Sequence, residues 1–445
     1  MTYPNNDSRS AQLFARGQMV MPGGNSRTGV MFEPYPIYAA RAEGCRVTDV
    51  DGETRIDCIN NWSSLIHGHG NPAVLGALAK QSHELLAVGM PTEVEIDLAS
   101  LLVDRLPGVE KIRFSNSGSE AVLMALRAAR AFTGRDVIAK CEGAYHGSAD
   151  SVEISVAPSP KTWGPEEAPT SVPATQGIPL SVQRDTLVLP FNDVIATRNL
   201  IEQHATSLAA VIVDPVVSRI GFVEATPEYL IMLREITTAY GIVLIFDEVF
   251  SYRIGFHGAQ GRVGVTPDIT ALGKVIGGGL PVGATGGLAE IMEVFNQTAK
   301  PLRVEHGGTY NANPMTMAAG LACMEQMTPA AYAHLEELGE RLRTGLRGEL
   351  ARAGYRGQVG GVASLVAMIF NDAPFLNYRE MPLRHREGAM IYTLHRYLLN
   401  HGVQIIPHGL MVLSTAMSTS DIDEILHAVR GGLAALAKDF PPDAV

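Results

Sequence analysis

Short apolar runs alternate with segments of helical periodicity through the middle of this chain. The runs lie in the segments KIRFSNS, VIAKCEG, LAAVIVDP, IVLIFDEV and ITALGK. They are apolar at successive positions, which is typical of strands that are buried on both faces of a parallel sheet. Helical patterns at 120–133 and 226–240 separate these runs. The alternation predicts an α/β fold with a mostly parallel, doubly wound sheet.

The pattern changes towards both ends of the chain. Residues 1 to about 50 form a polar lead-in with short extended pieces, whereas charged helical segments at 330–353 and 383–401 follow Leu321. We therefore expect three parts. They are an N-terminal segment 1–55 that joins the small domain, a large domain 56–320, and a smaller α+β domain 321–445.

Composition narrows the range of partners. The net charge of -11 argues against nucleic acid and anionic membranes, because both bind basic surfaces. The longest apolar runs, AAVIV and GIVLIF, are far shorter than the ~20 residues that span a bilayer. The four cysteines form no CxxC pair, which favours free thiols in a reducing compartment. We expect a cytoplasmic protein with neither nucleic acid nor membrane as a partner.

Two acidic residues and one lysine stand at the ends of predicted strands. Asp214 ends LAAVIVDP, Asp247 ends IVLIFD, and Lys274 ends ITALGK. Ligands of open α/β sheets bind at the carboxyl ends of strands. The apolar, glycine-rich surroundings of Lys274 favour a neutral amine, which is a nucleophile toward a carbonyl. The alternatives are salt-bridging acids and a lysine that extends from the strand end to water.

A third feature is the segment KIRFSNSGSEAVLMALRAARAFTG, which is typical of a strand, a tight turn and a helix. Ser117 and Glu120 fit the S-x-x-E capping pattern, and Gly134 is a candidate helix end. Gly118 permits close approach of a ligand to free N–H groups, which favours an anion such as phosphate, and Ser119 adds a hydroxyl. The alternative is a well-capped helix with no ligand.

Other candidates carry less information. Tyr145 and His146 follow an apolar run, and an aromatic ring there can stack on a planar cofactor or belong to the core. His67 and His69 lack a third ligand, so we expect no metal site. The glycines after Lys274 do not fit the G-x-G-x-x-G pattern of dinucleotide sites.

Together these segments resemble the class III aminotransferases, a family of pyridoxal-phosphate (PLP) enzymes of fold type I. The similarity is greatest to the branch of glutamate-1-semialdehyde aminomutase and the β-amino-acid (β-phenylalanine) aminotransferases. It extends from MPGGNSR to the final helix, and its most specific stretch is LIFDEVFSYRIGFHGAQGRVGVTPDITALGKVIGGGLPVGATGG. The resemblance implies a homodimer with shared active sites that transfers an amino group from a donor to a keto-acid acceptor.

The resemblance also implies roles for individual residues. Lys274 would be the Schiff-base lysine and proton carrier, Asp247 would hold the pyridinium nitrogen, and Val249 and Tyr145 would cover opposite faces of the ring. Thr309, in EHGGTYNANP, would bind the phosphate of the second subunit. The full set implied to bind the cofactor is Ser117, Gly118, Ser119, Tyr145, His146, Asp214, Asp247, Val249, Lys274 and Thr309.

The substrate residues are less typical of the family. Arg27 matches an arginine that binds the substrate carboxylate in the β-amino-acid branch, and Trp62 matches a pocket aromatic. His408 stands where that branch has an arginine for the acceptor, and neutral histidine binds carboxylates less well. We expect a β-amino-acid or amine donor and a pyruvate-like acceptor. The alternatives are intramolecular transfer by an aminomutase and a non-catalytic protein of the same fold.

Overall fold

The computed structural model describes residues 2–371, 373–381 and 385–442. The chain divides into two compact units. The first comprises Met1–Asn71, His334–Pro374 and Pro382–Val445, and the second comprises Pro72–Ala333 and Phe375–Met381. Among the described residues, there is no helix with both the length and the apolar character needed to cross a membrane.

Strands and helices alternate over most of the chain. The strands are β1 (Ala39–Glu43), β2 (Arg46–Asp49), β3 (Thr54–Asp57), β4 (Lys111–Ser115), β5 (Val137–Cys141), β6 (Thr186–Leu189), β7 (Leu208–Val213), β8 (Val216–Val217), β9 (Val223–Glu224), β10 (Val243–Asp247), β11 (Ile269–Gly273), β12 (Gly283–Gly287), β13 (Gln358–Gly360), β14 (Leu365–Ile369), β15 (Val403–Gln404) and β16 (Leu410–Val412). The helices span Arg9–Gln18, Pro72–Glu84, Glu93–Arg105, Gly118–Thr133, Leu180–Arg184, Val194–His204, Pro227–Tyr240, Gly258–Val263, Ala289–Met292, Pro314–Gln326, Pro329–Ala353, His385–Asn400 and Thr419–Leu436.

The second unit is built on a seven-stranded sheet. Its strand order is β4-β12-β11-β10-β7-β5-β6, and every neighbouring pair is parallel except the two pairs that include β12. The α/β fold with a mostly parallel sheet is therefore confirmed.

Successive residues of the central strands enter opposite halves of the core. In β7, Val211 and Val213 belong to one buried cluster, whereas Ala210 and Ile212 belong to another. β10 divides its side chains between the same two clusters. Because both faces of the sheet are covered at β7 and β10, these central strands are apolar at successive positions, which is the pattern that the sequence carries.

The first unit contains two smaller sheets. One has the order β1-β2-β3-β15, and the other has the order β13-β14-β16. β15 lies parallel to β3, with Val403 opposite Ile56, so strands from both ends of the sequence share one sheet. The final helix, Thr419–Leu436, begins at a capping box formed by Ser418 and Asp421.

The N-terminal lead-in differs from the expected extended pieces. Residues Arg9–Gln18 form a helix, and the hydroxyl of Ser8 caps it by accepting a hydrogen bond from Ala11 N. This helix is polar on average, and its few apolar residues, among them Ala11 and Phe14, are spaced along one side rather than in a run, so it lacks the continuous apolar run that marks a buried element.

Candidate active site

The candidate site lies at the carboxyl ends of three neighbouring strands. Asp214 follows β7 directly, Asp247 is the last residue of β10, and Lys274 follows β11 directly. Since β10 lies between β7 and β11, Asp247 stands between the other two residues. Lys274 has a φ of 52°, and its Nζ lies 4.3 Å from the centre of the Phe250 ring. The structure thus brings the two predicted acids and the predicted lysine to one edge of the sheet.

Asp247 is oriented by two hydrogen bonds. Its Oδ1 accepts from Val249 N at 3.0 Å, and its Oδ2 lies 2.8 Å from His146 Nδ1. The His146 side chain is fully buried, and burial lowers its pKa although Asp247 opposes this effect. A carboxylate can only accept, so Nδ1 carries the proton. Nε2 has no hydrogen-bond partner among the described residues.

Burial also changes the pKa of Lys274 and of Asp214. Burial lowers the pKa of Lys274 to about 8, although the Asp247 and Asp214 carboxylates act in the opposite direction. Burial raises the pKa of Asp214 well above its usual range, and the charge of Asp247 raises it further. The site therefore holds an amine that loses its proton close to neutral pH.

The turn before helix Gly118–Thr133 forms a second part of the site. Ser117 Oγ accepts from Glu120 N, as predicted, while the Glu120 carboxylate accepts from Asn116 N. Gly118 lies directly against Val249, because a Cβ at Gly118 would be 2.6 Å from Val249 Cγ1. The first backbone N–H groups of any helix lack partners within the helix, so the start at Gly118 suits an anion. Gly134 ends the helix in the left-handed conformation, also as predicted.

Ser119 connects this turn to the segment that carries Tyr145 and His146. Its Oγ accepts from Ser148 N at 3.1 Å, and a Cβ at Gly147 would lie 2.6 Å from the same oxygen. Tyr145 is 45% exposed, so its ring has a face on which a planar group can stack. The two predicted segments are thus in direct contact.

Two buried ionisable side chains that the sequence analysis missed, Lys140 and Glu142, hold this segment. Lys140 Nζ donates to the carbonyls of Cys141, Ala144 and Ile154 at 2.7 to 3.1 Å. The sequence did contain one sign of this contact, because Lys140 lies inside an otherwise apolar strand. Glu142 forms a two-pronged ion pair with Arg379, at 2.7 and 3.0 Å. These partners are 237 residues apart, so no local pattern connects them.

The surroundings of Thr309 and of the three predicted substrate residues lie within their own units. Thr309 is exposed in the second unit and lines a surface pocket together with residues 87–91. Arg27, Trp62 and His408 belong to the first unit. Arg27 Nη1 donates to Asn61 Oδ1, Trp62 packs on Gly29, and His408 is exposed between β15 and β16.

The arrangement in the second unit fits a planar cofactor that carries an aldehyde and a phosphate. Lys274 supplies the amine, Asp247 supplies a carboxylate, and the helix start at Gly118 supplies N–H donors for the phosphate. Lys274 and Asp247 lie at the ends of neighbouring strands of one sheet, and the helix that begins at Gly118 follows a further strand of the same sheet.

Comparisons with known proteins agree with this chemistry. A model of the class III aminotransferase family matches residues 29–429. The chain is 39% identical to glutamate-1-semialdehyde 2,1-aminomutase 2 of Brevibacillus brevis, over 95% of this chain and 97% of that protein. The structure of an omega-transaminase from Sphaerobacter thermophilus is 47% identical, with a TM-score of 0.96 over 98% of this chain and 99% of that chain. A beta-phenylalanine aminotransferase from Variovorax paradoxus is 34% identical, with a TM-score of 0.88 over 99% and 97% of the two chains.

Substituting Gly118 by alanine tests the turn. The added Cβ would meet Val249 at 2.6 Å, so we expect a loss of stability of about 1–3 kcal/mol and weaker binding of PLP. Gly76→Ala is the matched control, because Gly76 lies in a helix with open space around it. Thermal unfolding and cofactor titration measure both effects. Equal stability and equal PLP affinity of the two variants would contradict the close contact between Gly118 and Val249.

The pKa of Lys274 predicts how the rate of PLP binding depends on pH. Its folded-state value, about 8, is below the ordinary 10.5, so the neutral amine is already abundant between these values. The rate at which the apoprotein combines with PLP should rise through pH 8 and then level off. Absorbance of the lysine-bound cofactor measures this rate, and Lys274→Arg should abolish the signal. A rate that climbs steadily to pH 10 would contradict the lowered pKa.

Proposed function

We propose a donor and an acceptor for this chain, which belongs to the class III aminotransferase family and is a PLP-dependent enzyme. The donor is a β-amino acid or an amine, and the acceptor is a short keto acid such as pyruvate. The observation that supports the amino-transfer chemistry is the meeting of Lys274 and Asp247 at neighbouring strand ends, beside the helix start at Gly118. The similarity to an omega-transaminase and to a beta-phenylalanine aminotransferase supports the choice of donor.

Each residue of the site has a role in holding the cofactor. Lys274 would carry it covalently, and Asp247 would keep the pyridine nitrogen protonated, with His146 fixing the carboxylate. Gly118 and Ser119 would hold the phosphate, and Val249 and Tyr145 would cover the ring. Ser117 and Asp214 complete the set from the helix cap and from the end of β7. When bound, PLP supplies an electron sink that stabilises negative charge at the donor carbon.

Lys274 then acts as the acid and base of the reaction. Once a donor is bound, the Lys274 amine would be free to take a proton from the donor carbon and to give it back at the other end of the transfer. A pKa of about 8 suits both directions, because the amine is neither fully protonated nor fully neutral near pH 8. Two half-reactions of this kind give ping-pong kinetics.

We assign substrate choice to Arg27, Trp62 and His408. We assign the donor carboxylate to Arg27, whose guanidinium can bind a carboxylate with two parallel hydrogen bonds. We assign a pocket wall to Trp62. His408 would face the acceptor, and a neutral imidazole has a single N–H donor there. This difference favours pyruvate over dicarboxylate acceptors.

A panel of substrates tests these assignments. Pairing β-amino acids, α-amino acids and aryl-alkyl amines with pyruvate and with 2-oxoglutarate should give the highest kcat/KM for β-amino acids or amines with pyruvate. The variant His408→Arg should shift the preference towards 2-oxoglutarate by about tenfold, since it adds a charged two-pronged donor. Coupled assays of the keto and amino products measure the ratio. A wild type that prefers 2-oxoglutarate would overturn the acceptor assignment.

A second candidate is intramolecular amino transfer. The similarity to a glutamate-1-semialdehyde 2,1-aminomutase favours it. An aminomutase needs no separate acceptor, so it would convert glutamate 1-semialdehyde alone into an amino-acid product. The aminotransferase, by contrast, needs both a donor and an acceptor for sustained turnover.

We also propose a cytoplasmic homodimer in which each site uses a loop of the other subunit. The exposed position of Thr309 supports this assembly, because a phosphate-binding residue at the surface can serve a second copy. The four cysteines are buried free thiols, which suits a reducing compartment.

Mixing two inactive variants tests the shared site. Lys274→Ala and Thr309→Ala each impair every site of their own homodimer. In a mixed dimer, both changes fall in one site and leave the other intact. We expect recovery of up to about half of the wild-type activity per dimer after subunit exchange, with the equilibrium described by mass action. If mixed subunits recover nothing although mass measurement shows mixed dimers, Thr309 does not serve the partner.

A further inference from the structure

The first unit contains a short left-handed turn made entirely of residues other than glycine. Asn60, Asn61, Trp62 and Ser63 have φ values of 48°, 47°, 55° and 75°. Asparagine tolerates this region, whereas it is rare for tryptophan and serine. Four such residues in succession persist only where the surrounding structure determines the conformation, and strained segments of this kind concentrate at functional sites.

Buried hydrogen bonds hold the turn in place. Asp57 Oδ1 accepts from Ile59 N and Asn60 N at 2.8 and 3.0 Å, and Asp57 Oδ2 lies 2.8 Å from His69 Nε2. Asn60 is fully buried, and its Nδ2 donates to the carbonyls of Asp57 and Val412. The turn is therefore anchored to β3 and to β16, and its backbone conformation is fixed.

The fixed turn presents two side chains to the segment that carries Arg27. Asn61 Oδ1 accepts from Arg27 Nη1 at 2.9 Å. Asn61 Nδ2 donates to Ser64 Oγ at 2.9 Å, which directs the amide oxygen towards the guanidinium. A Cβ at Gly29 would lie 2.9 Å from the Trp62 ring, so the indole packs directly on the backbone two residues beyond Arg27.

We propose that Asn61 is a positioning residue that sets the guanidinium of Arg27 for the carboxylate of the amino donor. The inference rests on the proposed role of Arg27 and deepens it. Arginine has five N–H donors, so the bond to Asn61 leaves enough for a two-pronged contact with a carboxylate. A neutral amide orients the guanidinium without competing for its charge. An aspartate at this position would form an ion pair and occupy it.

Two donors that differ in one carboxylate test the inference. They are 3-amino-3-phenylpropanoate and 1-phenylethylamine, which share the amine and the aromatic ring. Asn61→Gly keeps the left-handed backbone, because glycine adopts positive φ freely, but it removes the amide. We expect KM for the amino acid to rise about fivefold with kcat unchanged, while both constants for the amine stay at wild-type values. Asn61→Asp should raise the same KM further.

Controls separate this inference from the proposed function. Arg27→Ala should raise KM for the amino acid and leave the amine unaffected. If Arg27→Ala has this effect but Asn61→Gly matches the wild type, the role of Asn61 is wrong and that of Arg27 stands. If Arg27→Ala changes nothing, the carboxylate assignment fails and the inference fails with it. An equal loss for both donors in Asn61→Gly, with normal cofactor absorbance, would show a general effect on the site and would overturn the positioning role.

Discussion

The hydrogen bond between His146 and Asp247 joins two buried side chains that are 101 residues apart in the sequence. A carboxylate taken out of water is costly unless it is paired or hydrogen-bonded, and this bond together with the Val249 amide meets that need. One strand away, burial of Lys274 itself lowers the pKa of its amine, whereas the Asp247 carboxylate raises that pKa. Lys140 and the Arg379–Glu142 ion pair hold the segment that delivers His146. The orientation of His146 and the pKa values of Lys274 and Asp214 thus all depend on this one buried carboxylate.

Much of the fold could be predicted from local patterns. β7 and β10 are apolar at successive positions because both faces of the sheet are covered, and that requirement is visible in the sequence without knowledge of any partner. The pairing of β15 with β3 could not be predicted in the same way, because it joins distant segments through a two-residue strand. The helix Arg9–Gln18 was missed because its polar composition resembles that of a loop.

The candidate site likewise contains features that local sequence patterns predict and features that they do not. Asp247 and Lys274 could be found from strand-end positions, since the topology of a parallel sheet brings such residues together. Periodicity in the sequence does not encode the contacts between buried ionisable groups. These contacts are the bond from His146 to Asp247, the bonds from Lys140 to three carbonyls, and the ion pair of Arg379 with Glu142. The left-handed turn at Asn60–Ser63 is equally hidden, because a positive φ at tryptophan runs against its own preference and is imposed by Asp57 and its neighbours.

The pairing of β3 with β15 has a consequence for synthesis on the ribosome. The second unit is almost contiguous in sequence, so its sheet can assemble while the chain is still growing. The N-terminal strands emerge first but obtain their last neighbour only when residues 403–404 have been made. Ile56 is fully buried in the finished protein, but its partner Val403 is synthesised only near the end of translation. A nascent chain that stalls before β15 therefore exposes an unfinished sheet edge, the kind of surface that chaperones bind and proteases remove.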